Sequence, residues 1–234
     1  MNADSESPKG ISTGFNATRF WIVVVTVCLM IVAAATVFYR VLNQRFRSPA
    51  SLPRFHTVSR DLEAYERTGK QVRMSDLRGK VHTIAYLYTV CPHGCAAVIG
   101  EMLKLHRTYG SRSDFHQVSI SVLPERDTAE MLAAYAKGIG LDETAPWWFL
   151  TGKQSSLWAF MTGGLQLEPA ATIPQEEQLN PLDTHMHDLR IVLVDRSGCV
   201  RGYYAVFHSQ PEIASLMRER LQQDVQKLLD EPAS

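Results

Sequence analysis

Cys91 and Cys95, set in Cys91-Pro92-His93-Gly94-Cys95, and the downstream pair His185 and His187 are the residues of this chain best suited to do chemistry. Thiolates are both nucleophiles and soft metal ligands. A close cysteine pair therefore offers reversible disulfide exchange or capture of a soft metal ion. Two thiolates and one imidazole make a donor set suited to Cu(I). A closed zinc site needs four ligands, and no second Cys or His pair stands at finger spacing in this sequence. Two inert, buried cysteines would be the bland alternative, but these two lie where a strand gives way to a helix.

The flanking residues say how the pair is placed. Val81 to Val90 is an apolar run rich in β-branched and aromatic residues and reads as a buried strand. It breaks at Pro92 and Gly94, then resumes at helical spacing with Val98, Ile99, Met102, Leu103 and His106. The unpaired N–H groups and dipole of a helix N-terminus favour thiolate over thiol. If the first turn forms around the cysteines, positions i and i+4 face the same way, roughly 6 Å apart, which suits a disulfide or one shared ion.

The rest of the chain anchors and scaffolds this turn. Phe20 to Tyr39 is an apolar run without a charge, bounded by Arg19 and Arg40, with aromatic residues at both ends. At about 1.5 Å per residue it spans a hydrocarbon core of about 30 Å, and aromatic ends suit the membrane interfaces. Ala33-Ala34-Ala35 offers a signal-cleavage site, but Val37, Phe38 and Tyr39 prolong the run past it, so an uncleaved anchor is expected. Cys28 reads as filler within it. The expected organisation is a tail at 1–19, a transmembrane anchor at 20–39, a linker at 40–54 and a globular domain at 55–230. Lys and Arg together balance Asp and Glu at 24 each, and no basic block stands out, so nucleic acid is not an expected partner.

Within the domain, short strands are expected near Phe55 to Val58 and Gln71 to Met74, and a second central strand at Phe115 to Val122. Asp127-Thr128-Ala129-Glu130 reads as a capping box with Asp127 at the cap, starting a helix that carries Met131, Leu132, Tyr135 and Ile139. A strand at Trp147 to Leu150 and a short helix at Ser155 to Met161 follow. Leu165 to Asp188, with three prolines, is a long loop with room for a small hairpin. Leu189 to Asp195 and Val200 to Phe207 form a hairpin around Arg196-Ser197-Gly198, where Cys199 reads as incidental, and Ile213 to Leu228 form a closing helix. This order is that of a thioredoxin-like (peroxiredoxin-like) α/β sandwich of three layers.

The motif is similar to the active-site turn of thioredoxin-like oxidoreductases, resembling the Cys-Pro-His-Cys of a periplasmic disulfide oxidant with one glycine added. Those enzymes set a cis-proline before the later strand that faces the cysteines. Here His187-Asp188 occupies that place. The loop entering that strand is where the fold brings a histidine to the cysteine turn, which weights the reading towards copper.

A wider resemblance runs from about Asp76 to the end of the hairpin. Leu77-Arg78-Gly79-Lys80, then Tyr86-Leu87-Tyr88-Thr89-Val90 leading into the motif, Ser119 to Thr128 with its Pro124-Glu125-Arg126-Asp127-Thr128, and Leu150-Thr151-Gly152 all resemble segments of the SCO/SenC family. The resemblance implies a membrane-anchored, thioredoxin-fold, copper-binding protein that assists copper insertion into cytochrome c oxidase, with the apo copper-binding subunit as partner. It implies copper ligands at Cys91, Cys95 and His187, the family's histidine falling there when counted back from Leu193-Val194-Asp195. His93 and His185 are candidate extra ligands. If the pair is redox-active, it cycles through a Cys91–Cys95 disulfide, and the alternative activity is a thiol–disulfide oxidoreductase that keeps partner cysteines reduced. Arg40, Arg45 and Arg47 outnumber Lys9 and Arg19, which by a positive-inside count puts the domain in the cytoplasm. The resemblance implies the extracytoplasmic, periplasmic side of the cell membrane, and that reading is taken. The chain departs from the family pattern at His93, where aspartate is usual, at Ala96, where proline is usual, and at Leu123, where aspartate is usual.

Overall fold

A computed structural model describes residues 17–46 and 51–232. They fall into two compact units, divided after Ala50. In the first, helix α1 runs from Ala17 to Phe46. Its stretch Thr18–Arg40 is long and apolar enough to cross a membrane. The expected linker thus begins as helix: 40–46 continue α1, because no proline or glycine interrupts the chain before Pro49.

The second unit is built on one eight-stranded sheet. Its strands are β1 (His56–Thr57), β2 (Glu63–Glu66), β3 (Gln71–Arg73), β4 (Val81–Leu87), β5 (Phe115–Ser121), β6 (Trp147–Thr151), β9 (Ile191–Val194) and β10 (Cys199–Tyr204). β7 (Ala171–Thr172) and β8 (His185–Met186) form a separate pair. The sheet order is β1-β10-β9-β4-β5-β6-β2-β3, with β4, β5 and β6 parallel and the others antiparallel to their neighbours. Helices α2 (Cys95–Tyr109), α3 (Ala129–Gly138), α4 (Gln154–Ala159) and α5 (Pro211–Asp230) complete the domain. This is the expected thioredoxin-like α/β architecture.

Every residue of β4 is buried, because the strand is covered on both faces. Its alternate side chains serve two cores. Val81, Ala85 and Leu87 pack with Val98, Met102 and Leu105 of α2 and with Leu221, Val225 and Leu228 of α5. Ile84 and Tyr86, with Tyr88 just beyond the strand, pack on the other face with Leu157 of α4, Phe160 and Met161.

Several local expectations need correction. The strand expected to reach Val90 ends at Leu87, and Tyr88 to Gly94 form the turn. Strand β2 had no clear sequence signal; only its alternate residues Ala64 and Glu66 are buried, and it joins β3 to β6. Asp127 is not the cap of α3. Thr128 is, its hydroxyl accepting from the Met131 amide at 3.3 Å. The Asp127 carboxylate is engaged elsewhere, accepting from Thr89 at 2.5 Å and Ser121 at 2.8 Å. Cys199 opens β10 rather than lying in the turn, and is buried.

Candidate metal centre

The register of the sheet explains why the cysteine turn and the histidine loop meet. β4 pairs antiparallel with β9, Ile84 opposite Val192 and His82 opposite Val194. The chain entering β9 therefore lies beside the chain leaving β4. That second segment is the cysteine turn, and the first carries His187.

Cys91 lies in the turn and Cys95 is the first residue of α2. Gly94 before it accepts the first helical hydrogen bonds, from Ala97 and Val98. A side chain at Gly94 would collide with Leu189 and the Phe207 ring, each 2.6 Å from an ideal Cβ. The extra glycine of the motif thus lets the segment before β9 close over the turn.

The Sγ atoms of Cys91 and Cys95 and a ring nitrogen of His187 all lie within 4.8 Å of one another. Both cysteines are free thiols here. Cys95 Sγ is 3.0 Å from His187 Nε2. His187 Nδ1 donates to its neighbour's carbonyl, Asp188 O, at 2.9 Å, which orients the ring so that Nε2 is the nitrogen facing the sulfurs. The Tyr86 ring backs the imidazole, with centroids 5.5 Å apart. Cys95 and Tyr86 are buried, whereas Cys91 and His187 are half-buried and open the group to one side.

The thiols are unequal. Cys91 is driven well below the ordinary thiol range, chiefly by the hydrogen bond from Cys95, with burial opposing and His187 assisting. Cys95 is driven up by that same interaction and by burial, and keeps its proton. Of the two sulfurs, Cys91 is therefore the stronger acid. Two sulfurs and an imidazole nitrogen, accessible from one side, have the softness and spacing to share a Cu(I) ion.

The other two expected histidines lie outside this group. His93 Nε2 is 2.9 Å from Asp183 Oδ1. His185 Nδ1 is 2.8 Å from the Thr184 hydroxyl, and its ring meets Trp158 edge-on. Strand alternation alone would put positions 185 and 187 on one face, but the strand ends at Met186, and past that end only His187 reaches a sulfur while His185 stays with Thr184 and Trp158.

Three further residues frame the site in roles that the sequence reading does not give them. Tyr88 donates its hydroxyl to Leu182 O and lies 3.0 Å from Thr184 Oγ1, holding the histidine loop. Asp183 is fully buried. Asp127, also fully buried, ties Thr89 of the cysteine turn to Ser121 at the end of β5. Burial raises the Asp127 pKa, with the two hydroxyls pulling the other way. An aromatic–Thr lead-in hints at Tyr88 and Thr89, and the local pattern around Asp127 points to a helix cap instead of this clamp; nothing local marks Asp183.

The SCO1/SenC family model matches residues 52–222, which take in both cysteines, His187 and nearly the whole second unit. The chain belongs to the SCO1/SenC family. Solved structures share the fold. A SCO1/SenC family lipoprotein from Bacillus anthracis str. Ames is 23% identical with a TM-score of 0.63, the alignment covering 77% of this chain and all (100%) of that one. Bradyrhizobium japonicum ScoI with copper bound is 24% identical, with a TM-score of 0.54 and coverage of 69% and 98%. BsSco, a member of the Sco family of cytochrome c oxidase assembly proteins in which a disulfide switch is identified, is 22% identical, with a TM-score of 0.60 and coverage of 78% and 99%. No curated protein matches the chain.

Proposed function

We propose that this chain is a membrane-tethered copper carrier that helps to load cytochrome c oxidase. One observation carries the reading: three soft donors, Cys91, Cys95 and His187, converge within 4.8 Å on a face open to one side. The ion is cargo. Cys91, already a thiolate, meets it first; Cys95 loses its proton as it binds, and His187 Nε2 completes a three-coordinate site. An open side lets a partner's donors replace these one at a time, so the ion moves without being released to water. The copper-bound relative from Bradyrhizobium japonicum supports Cu as the cargo. The family and the BsSco relative support the apo copper-binding subunit of the oxidase as acceptor. Thr18–Arg40 is the tether, in one pass, with the domain on the extracytoplasmic side of the cell membrane.

The test is anaerobic Cu(I) titration of the full chain in detergent micelles against a competing chromophoric chelator. The expected result is one ion per chain, lost in Cys91→Ser and weakened at least ten-fold in His187→Ala. Stoichiometric binding that survives both substitutions, or no binding by the native chain, overturns the reading.

The inequality of the two thiols supports a second reading, a thiol–disulfide oxidoreductase with Cys91 attacking. Attack on a partner disulfide forms a Cys91 mixed disulfide and releases one partner thiolate. Cys95 then displaces the second, leaving a Cys91–Cys95 disulfide and a reduced partner. Cys95→Ser traps the mixed disulfide if this reading holds, and failure to trap one rejects it.

A further inference from the structure

His93 stands between the two cysteines, yet its ring turns away from the sulfurs to the loop that carries His187. Its Nε2 donates to Asp183 Oδ1 at 2.9 Å. The imidazole is 39% exposed and the carboxylate 0%. A carboxylate out of water needs donors to replace its hydration. Asp183 has two among the described residues: His93 on Oδ1 and the Leu179 amide on Oδ2. The second is local and shapes the loop internally. The first spans 90 residues of sequence and joins the loop to the cysteine turn.

Few other contacts do that work. Leu165, Leu167, Ala170 and Ile173 bury the first part of the loop, but the apolar residues nearer His187, namely Leu179, Leu182 and Met186, are exposed. Its regular structure is the pairing of Ala171 with Met186 and Thr172 with His185. Tyr88 fixes Leu182 and Thr184 from below. Only three residues lie between Asp183 and His187, so whatever holds the first sets where the second can reach.

We propose that the His93–Asp183 hydrogen bond is a latch that closes the His187 loop onto the cysteine turn, making His93 a positioning residue for metal capture rather than a ligand. The inference rests on the copper reading above. With the latch closed, an arriving ion meets three donors; with it open, two sulfurs. The apparent affinity falls by the fraction of molecules in which the loop is closed, and a preassembled set binds more tightly than one that must be gathered.

The test uses the full chain in micelles and two readouts. In the first, Cu(I) affinity is measured by chelator competition in the native chain, His93→Ala, His93→Gln, His187→Ala and the His93→Ala/His187→Ala double variant. The latch predicts a loss of about ten-fold or more in His93→Ala, with most of it recovered in His93→Gln, whose amide can still donate to Asp183. Once His187 is gone, removing His93 should cost less than about two-fold, because the two act through one another. A full, additive loss in the His187→Ala background makes His93 an independent donor and overturns the latch, as does no loss in His93→Ala.

In the second readout, amide hydrogen exchange over residues 179–188 is followed in the metal-free chain. The latch predicts exchange accelerated about ten-fold in His93→Ala and near native in His93→Gln. Unchanged exchange in His93→Ala overturns it. If the native chain binds no Cu(I), the copper reading falls while the exchange data still decide whether the latch exists.

Discussion

The cysteine turn grows out of β4 and runs into α2, both packed in the core, whereas His187 arrives on a long loop with only the two-residue strand β8 nearby. The two halves of the donor set are accordingly held by different means. On the cysteine side, burial of Leu87, Val98 and Met102 fixes the strand and helix, and Asp127 adds a polar clamp through Thr89 and Ser121. On the histidine side, burial holds the start of the loop at Leu165, Leu167, Ala170 and Ile173 but supplies little around Leu179 to Met186, next to His187. Polar contacts do the holding: Tyr88 to Leu182 and Thr184, His93 to Asp183, and Arg190 with the Glu168 amide on Asp188. A half held by packing is preformed and opens only as the domain unfolds. A half held by a few hydrogen bonds opens locally at much smaller cost. A carrier that must both grip and release an ion gains from that division.

The comparison can be broken most forcefully from the cysteine side. Asp127→Ala leaves the Thr89 and Ser121 hydroxyls without their acceptor in a buried site, and should cost about 3 kcal/mol of stability. Urea unfolding of the full chain, followed by tryptophan fluorescence, measures it. A loss under about 1 kcal/mol would mean that packing alone holds the turn.

Acid should act on the same half through its sheet. His82 and His116 are partners across β4 and β5, and burial is the main force lowering both pKa values, to about 4 and about 3. The unfolded chain binds these protons near pH 6.5, while the folded chain resists until well below. Their contribution is therefore complete above the unfolded value and is lost as pH falls towards the folded ones. Between pH 7 and 5.5 the pair should remove about 2.5 kcal/mol. Repeating the unfolding series with both histidines changed to Gln should flatten this dependence. A slope that persists would place its origin elsewhere.

The smallest effect should come from the histidine side. Tyr88→Phe removes one hydroxyl, and should lower global stability by about 1 kcal/mol or less while speeding amide exchange around Leu182 and Thr184. Global destabilisation as large as that of Asp127→Ala would erase the distinction between the two halves.

Local patterns carried much of this molecule. The apolar runs of β4 and β5, the helical spacing of α2 and α5, and the uncharged run within α1 are periodic signals read within one element. The Cys91–Cys95 turn announced itself by residue type and by its place between a strand and a helix. The ends of elements were less legible. The β4 run continues in apolar type through Tyr88 and Val90, and only the turn's own bonding, such as the Cys91 amide to Tyr88 O, stops it earlier.

Asp127 shows the limit of local reasoning most plainly. Its spacing to Glu130 suits a capping box, but Thr89, 38 residues earlier, claims its carboxylate, so the cap passes to Thr128. The sequence by itself determined the anchor candidate, the central strands and main helices, and the cysteine pair, because these depend on neighbours along the chain. The resemblance points to His187, but only the tertiary structure decided that its ring turns to the sulfurs while His93 turns to Asp183. Those choices depend on the antiparallel register of β4 and β9, which brings together residues 90 or more positions apart whose side chains leave no joint pattern in the sequence.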